Sequence, residues 1–488
     1  MSSLDLYFTD VFAVGEEKLQ SYGAFDISLV VDLPLFIDPF LLFQSKNDRY
    51  QELHASMIAY LRYLRDNASA ALKNEALLRH LYRFPEVTQN WLGFTLDSNR
   101  GRGLGMDFAT ALAANLDGIF ESFGDEQITR GTHLEKLCLI KEGVGRDMIS
   151  DFTTNLIKGF LCEYTEEFTR LNLEEGATSR FSVPHAAFDY DLGAWMPRNY
   201  VLPKFGGDYV LLTPRDILTK DDTWINKADF VRDYDDIPTA IPNEELRNRI
   251  DTYFRSILPP NPSAKEATRA IQKTALKFPQ LIDYYIRLKE NRGAEAERQS
   301  SEKVQASVSL FVDQARQLIR ILNGETDFYR EPLTTKDAAR TKVMFLKDVI
   351  ENKGGHRIFY VRGEPIKREQ DLQILYRLVW HGTKFDVSRE ANDGRGPADF
   401  KVSLGAADKT IIEMKLASNR ALQRNLENQA EIYQKASDAD SALKVILFFT
   451  EHEERRTKAI LKALGIDKSK DIVLIDARDD NKPSGSRA

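Results

Sequence analysis

The chain has 488 residues, more than one hydrophobic core usually serves, so two or three domains are expected. Two cysteines, Cys138 and Cys162, exclude a disulfide framework or a cysteine-built zinc site and fit a reducing compartment. Neither a basic leader before an apolar segment nor a bilayer-length apolar run is present, so the expectation is a cytoplasmic protein without a membrane partner. A net charge of −7 argues against coating nucleic acid through the overall field, yet permits a local basic groove.

Residues 24–43 are β-branched and aromatic, punctuated by Pro34 and Pro39, and predict one or two strands with Asp38 held at a turn. From Asp48 to about Tyr82 the apolar spacing predicts a helix. Gly101, Gly103 and Gly105 precede a helix beginning near Met106. Arg100 and Arg102 could help such a loop hold an anion, but the spacing is neither that of a P-loop nor of a dinucleotide fingerprint, and it reads as a loop. Residues 106–175 read mostly as helix. Gly206 and Gly207 sit between two apolar runs and signal a hairpin. His185, Asp189 and Asp191 fit no metal-ligand spacing and read as a surface loop.

Three prolines within Leu258–Glu266 mark a boundary. Beyond it, 264–292 and 301–323 predict a helical hairpin around a polar turn, a connector that could also form a homo-oligomer or accept an accessory protein. A further helix starts behind Thr335 and ends before Gly354 and Gly355. The expected organisation is an α+β, mostly helical N-terminal region (1–258), a helical connector (264–353), an α/β domain with a mixed sheet (354–480) and a polar tail (481–488). Within the α/β domain the expected order is a strand (356–363), a helix (368–380), a strand (385–389), a hairpin (397–416), a helix (419–436), a strand (444–450), a helix (454–464) and a strand (471–476).

Parity tests the hairpin. If Asp399 stands opposite Glu413, then Phe400 faces Ile412 and Val402 faces Thr410, with a turn over 404–408 of ordinary length. Alternation sends Phe400, Val402, Thr410, Ile412, Met414 and Leu416 to one face. Asp399, Lys401, Ser403, Lys409, Glu413 and Lys415 go to the other, with Ile411 its apolar exception. Two opposed carboxylates ionise together cheaply only around a cation, and Mg²⁺ suits oxygen ligands and phosphate. The Met414 carbonyl can complete the ligands, and Lys415 can orient or deprotonate a water. On the next helix Asn425, Gln429 and Tyr433 share a face; Gln429 can bond backbone or phosphate groups, and Tyr433 can stack on a base. Arg395, Lys401, Arg420 and Arg424 add positive charge nearby. The bland alternative is a solvated hairpin face with a Glu413–Lys415 surface pair.

Asp399 with Glu413-Met414-Lys415 resembles the PD-(D/E)xK nuclease superfamily, and Gln429 to Tyr433 resembles the QxxxY motif of its RecB-like members. Here Pro397-Ala398-Asp399 stands in for the family's Pro-Asp step, and the likeness covers about 368–450. It implies a restriction-endonuclease-like αβββαβ core, DNA cleavage, and Mg²⁺ or Mn²⁺ as cofactor, with Gln429 among the catalytic residues. Such proteins commonly carry an acid on the first core helix; Glu369 and Asp371 are candidates on opposite flanks of its apolar face, and the longer Glu369 is favoured. The expectation is a metal-dependent DNA endonuclease gated by its N-terminal region, as in restriction or anti-phage effectors. The alternatives are a repair or recombination nuclease and a non-catalytic nucleic-acid or partner-binding protein on a nuclease-like fold.

Overall fold

The structure, a computed structural model, describes residues 5–93, 104–119, 126–140, 145–329, 335–381, 383, 386–389, 400–404, 408–427 and 441–482. The chain begins with α1 (Phe8–Val11), α2 (Glu16–Tyr22), β1 (Leu35–Ile37) and α3 (Pro39–Gln44). Only three residues of the apolar run 24–43 form strand, because Pro39 occupies the first helical position, where its fixed φ favours a helix start. Asp38 caps that helix. Its Oδ1 accepts from the Phe40 N–H at 3.1 Å and its Oδ2 from the Trp224 N–H at 2.7 Å, so the expected turn acid is a buried joint between distant segments.

The stretch read as one helix from Asp48 is two, α4 (Asp48–Ala71) and α5 (Glu75–Tyr82). Asn74 divides them by accepting from the Ala76 and Leu77 amides, which starts a new helix. Next come α6 (Met106–Ile119), α7 (Lys136–Ile140), α8 (Arg146–Leu156) and α9 (Lys158–Asn172). The arginines and first two glycines of the expected glycine loop, 100–103, lie outside the described residues.

An antiparallel sheet follows, β2 (Thr178–Asp189), β3 (Ala194–Phe205) and β4 (Asp208–Tyr209). Gly206 and Gly207 form its second turn at φ 59° and 89°, conformations that favour glycine. The surface loop expected around His185 is instead strand: His185 and Asp189 belong to β2, with His185 in a bulge between Val183 and Ala187, and Asp191 lies in the β2–β3 turn. The bulge interrupts the apolar alternation that would have signalled a strand. β5 (Leu218–Lys220) pairs antiparallel with β1, and α10 (Lys227–Arg232) follows.

α11 (Glu244–Ile257) and α12 (Ala264–Lys277) flank the proline segment, and α12 opens with a Ser263–Glu266 capping box. After α13 (Gln280–Glu290), α14 (Gly293–Val308) runs through a π-helical stretch, Ser309–Gln314, into α15 (Ala315–Glu325). The polar run read as a hairpin turn therefore lies inside α14. Its Ala, Glu, Gln and Arg are strong helix formers, and Ala296, Ser300, Val304 and Ser307 bury a narrow face.

The last part contains α16 (Thr335–Asn352), then a 3₁₀ turn at Gly355–Phe359 with β6 (Tyr360–Val361) and β7 (Glu364–Pro365) where one strand was expected. Arg362 and Gly363, at φ 53° and 80°, fold that segment back on itself. α17 (Glu369–Trp380), β8 (Asp386–Arg389), β9 (Phe400–Leu404) and β10 (Asp408–Leu416) follow, then a helical stretch at 422–427. β11 (Ser441–Phe448), α18 (Glu451–Ala463) and β12 (Ile472–Asp476) complete the described chain.

These strands make one sheet in the order β12–β11–β10–β9–β8, parallel from β10 through β12 and antiparallel from β8 to β10. Ile412, Met414, Leu416, Val445, Leu447 and Ile475 join the main core, with α16 and α17 packed against the sheet. On the other face Ile446 and Phe448 meet Leu422, Leu426, Ile460 and Leu461. Helices on both faces make this part a mixed α/β layer structure. Among the described residues, no helix is long and apolar enough to cross a membrane.

Candidate active site

The hairpin takes the register that alternation predicts: Phe400 opposite Ile412, Val402 opposite Thr410 and Leu404 opposite Asp408. The apolar series Ile412, Met414 and Leu416 faces the main core, which turns Glu413 and Lys415 to the opposite face. Both are nevertheless buried: Glu413 is 0 % and Lys415 4 % exposed. At these two positions the solvated hairpin face is therefore corrected, because β10 is a central strand of the sheet. In the parallel ladder Glu413 is level with Lys444 and Lys415 with Ile446.

The first turn of α17 gives different partners to the two acids that sequence places on opposite flanks of the helix. Glu369 Oε1 accepts from the Leu416 N–H at 3.3 Å and from Asn419 Nδ2 at 2.8 Å, while its Oε2 lies 4.0 Å from Lys415 Nζ. Asp371 points elsewhere, to Lys220 Nζ at 3.4 Å. Burial raises the Asp371 pKa, and the Lys220 charge opposes that shift. Glu369 is thus the acid that meets β10, and Asp371 is the acid that meets the N-terminal region.

Asn419, which sequence reading used only as a helix start, has two roles in this corner. Its amide nitrogen donates to Glu369 and its Oδ1 accepts from the Ala421 N–H at 2.8 Å. Arg456 of α18 fixes the same turn by donating to the carbonyls of Ala417 and Asn419, each at 3.1 Å. The alternation of strands carries no signal for either residue, since both act across a bend. Lys444, beside Glu413, is likewise visible only once the parallel pairing is known.

Asp399, Gln429, Tyr433 and Arg395 lie outside the described residues. Lys401 is level with Ile411 in the ladder; Asn425 is half-buried in the 422–427 stretch, and Arg424 and Arg420 are exposed. The Met414 side chain belongs to the core. Among the described residues, no group of three or more His, Cys, Asp or Glu is placed to hold a metal ion.

What the described corner can do is bounded by its chemistry. Two carboxylates offer hard oxygen donors of the kind that suit Mg²⁺ or Mn²⁺, and a lysine offers a proton or a positive charge. Residues 13–226 match a domain of unknown function (DUF8370), and residues 335–451 match a second domain of unknown function (DUF8371). No curated protein and no solved structure matches the chain. The second match begins at α16, takes in α17, the hairpin and all of β11, and ends at the first residue of α18, and so contains Glu369, Glu413, Lys415 and Asn419.

Proposed function

We propose that this protein is a metal-dependent deoxyribonuclease whose site is built on β10, with the sheet and its flanking helices forming a restriction-endonuclease-like core. The observation that carries the reading is the meeting of Glu369, from a separate helix, with Lys415 on the face that also bears buried Glu413. A surface salt bridge would not bury these groups, and burying charged groups costs free energy unless they are paired or hydrogen-bonded. The donor chemistry fits a hard divalent cation, with Asp399, Glu413 and the Met414 carbonyl as the residues that would hold it. When bound, such an ion polarises a phosphoryl oxygen and lowers the pKa of water.

The chain's own residues then have distinct parts. Lys415 orients the attacking water and offsets charge on the phosphate, while Glu369 holds Lys415 in place and is itself anchored by Leu416 and Asn419. Gln429 and Tyr433, with Arg424 and Lys401, supply contacts to the DNA backbone and bases. By analogy with modular effectors, the N-terminal region gates cleavage in restriction or anti-phage defence.

The test is nicking of supercoiled plasmid with Mg²⁺ or Mn²⁺ by the wild type, Asp399→Ala and Lys415→Ala. Metal-dependent nicking that both substitutions abolish supports the reading. Equal activity in all three, or DNA binding without cleavage under every metal tried, overturns it.

A further inference from the structure

The helix that carries Glu369 is held from its other side by the N-terminal region. Lys220, the last residue of β5, reaches Asp371 at 3.4 Å; both side chains are largely buried, at 13 % and 10 % exposed. The next residue, Asp221, forms an ion pair with Arg368, the N-cap of α17. Asp221 has φ 80°, a left-handed conformation uncommon for an aspartate, and this places consecutive side chains of one segment on both sides of Glu369 in sequence. Asp222 continues the series by pairing with Arg146 of α8 at 3.2 Å, and Trp224 donates its N–H to Asp38.

The geometry is that of a clamp. Arg368 and Asp371 are tied to the β5 end, while Glu369 between them is tied to Leu416, Asn419 and Lys415 across the sheet corner. A shift of β5 relative to the sheet would draw the first turn of α17 with it, because the largely buried Lys220–Asp371 pair breaks only at the cost of leaving a buried charge uncompensated, while the more exposed Arg368–Asp221 pair adds a second tether. Moving that turn changes how far Glu369 stands from Lys415. Catalytic geometry is sensitive on this scale: a misplacement of about 1 Å can cost on the order of 100-fold in rate.

We propose that Lys220 and Asp221 are positioning residues for the candidate site: through Asp371 and Arg368 they set the placement of Glu369, and through β5 they make that placement answer to the N-terminal region. The catalytic consequence rests on the nuclease reading, whereas the positioning does not. The Leu416 amide gives a readout that needs no activity, because its hydrogen bond to Glu369 protects it from exchange.

The experiment uses the full chain and compares wild type with Lys220→Ala/Asp221→Asn and with the charge exchange Lys220→Glu/Asp371→Lys. Asparagine tolerates the left-handed φ, so the first variant removes charge and keeps the turn. Hydrogen–deuterium exchange at Leu416 should quicken about 10-fold or more in the first variant and return toward wild type in the exchanged pair. Mg²⁺-dependent plasmid nicking should lose kcat by a similar factor with KM for DNA unchanged, and recover in the exchanged pair. Unchanged exchange at Leu416 in the first variant overturns the proposal, as does faster exchange that the exchanged pair fails to reverse. If the double variant does not fold, Asp221→Asn alone is measured, and unaltered exchange there also overturns it. A wild type that nicks no DNA counts against the nuclease reading, while the exchange data still decide the positioning.

Discussion

Glu369 Oε1 and Asn419 Nδ2 lie 2.8 Å apart, joining the first turn of α17 to the bend that leaves β10. Glu369→Gln preserves an oxygen that can accept from Asn419 and Leu416 but removes the charge facing Lys415. Stability should therefore fall by about 1–3 kcal/mol, since its hydrogen bonds survive but the buried Lys415 loses the charge facing it. Plasmid nicking should fall about 100-fold. Urea melts and a nicking time course check the two halves, and a larger loss of stability would show that Glu369 is mainly structural.

Asp38 joins α3 to the segment after β5 through two backbone donors. Asp38→Ala strands both in a buried setting, where an unsatisfied polar group costs about 1–3 kcal/mol. The expected loss is about 2–4 kcal/mol, read as a lower urea midpoint at unchanged slope.

Asp151 of α8 lies near Asp147 and Glu86, and burial first, then those like charges, push its pKa up to about 8. The folded state thus binds its proton more tightly than the unfolded chain, whose aspartates titrate near about 4. The stability from this group is full below about pH 4 and is lost as pH rises from there to about 8. Asp151→Asn removes the titration, so it should stabilise the protein by several kcal/mol at pH 8, at most about 5, and give no gain at pH 4. Melting curves at the two pH values test the sign; equal effects would refute it.

Gly159 lies where α9 crosses the β2–β3 ribbon, and a Cβ there would stand 2.3 Å from the Ala186 carbonyl oxygen. That oxygen is backbone and cannot swing aside. Gly159→Ala should destabilise by about 1–3 kcal/mol despite the higher helix propensity of alanine. Gly105→Ala, with nothing within 4 Å of the added atom, is the matched control and should leave stability nearly unchanged.

The elements around the candidate site are legible in sequence where one short-range rule governs them. Strict alternation from Ile412 to Leu416 fixes the hairpin register, because a slip of one residue would send Met414 and Leu416 to the wrong face. What alternation cannot supply is the other side of the sheet, so it leaves Glu413 and Lys415 on a polar face without indicating that both are buried. The helical wheel alone does not choose between Glu369 and Asp371, and side-chain length only tips the choice to Glu369; what occupies Asp371 is Lys220, distant in sequence. Errors elsewhere come from competing local signals. A proline starts a helix after Asp38, a bulge hides the strand at His185, and polar helix formers in 293–302 mimic a turn.

α16 covers the core-facing side of the five-stranded sheet, yet it precedes the glycines at which the sequence suggests a domain start. A recombination event that joined new sequence at residue 354 would transplant the strands with α17 but without α16, uncovering part of the face that carries Ile412, Met414 and Val445. Inheritance of this sheet as a portable cassette therefore requires a breakpoint ahead of Thr335, and lineages that shuffle it must carry α16 as part of the cargo.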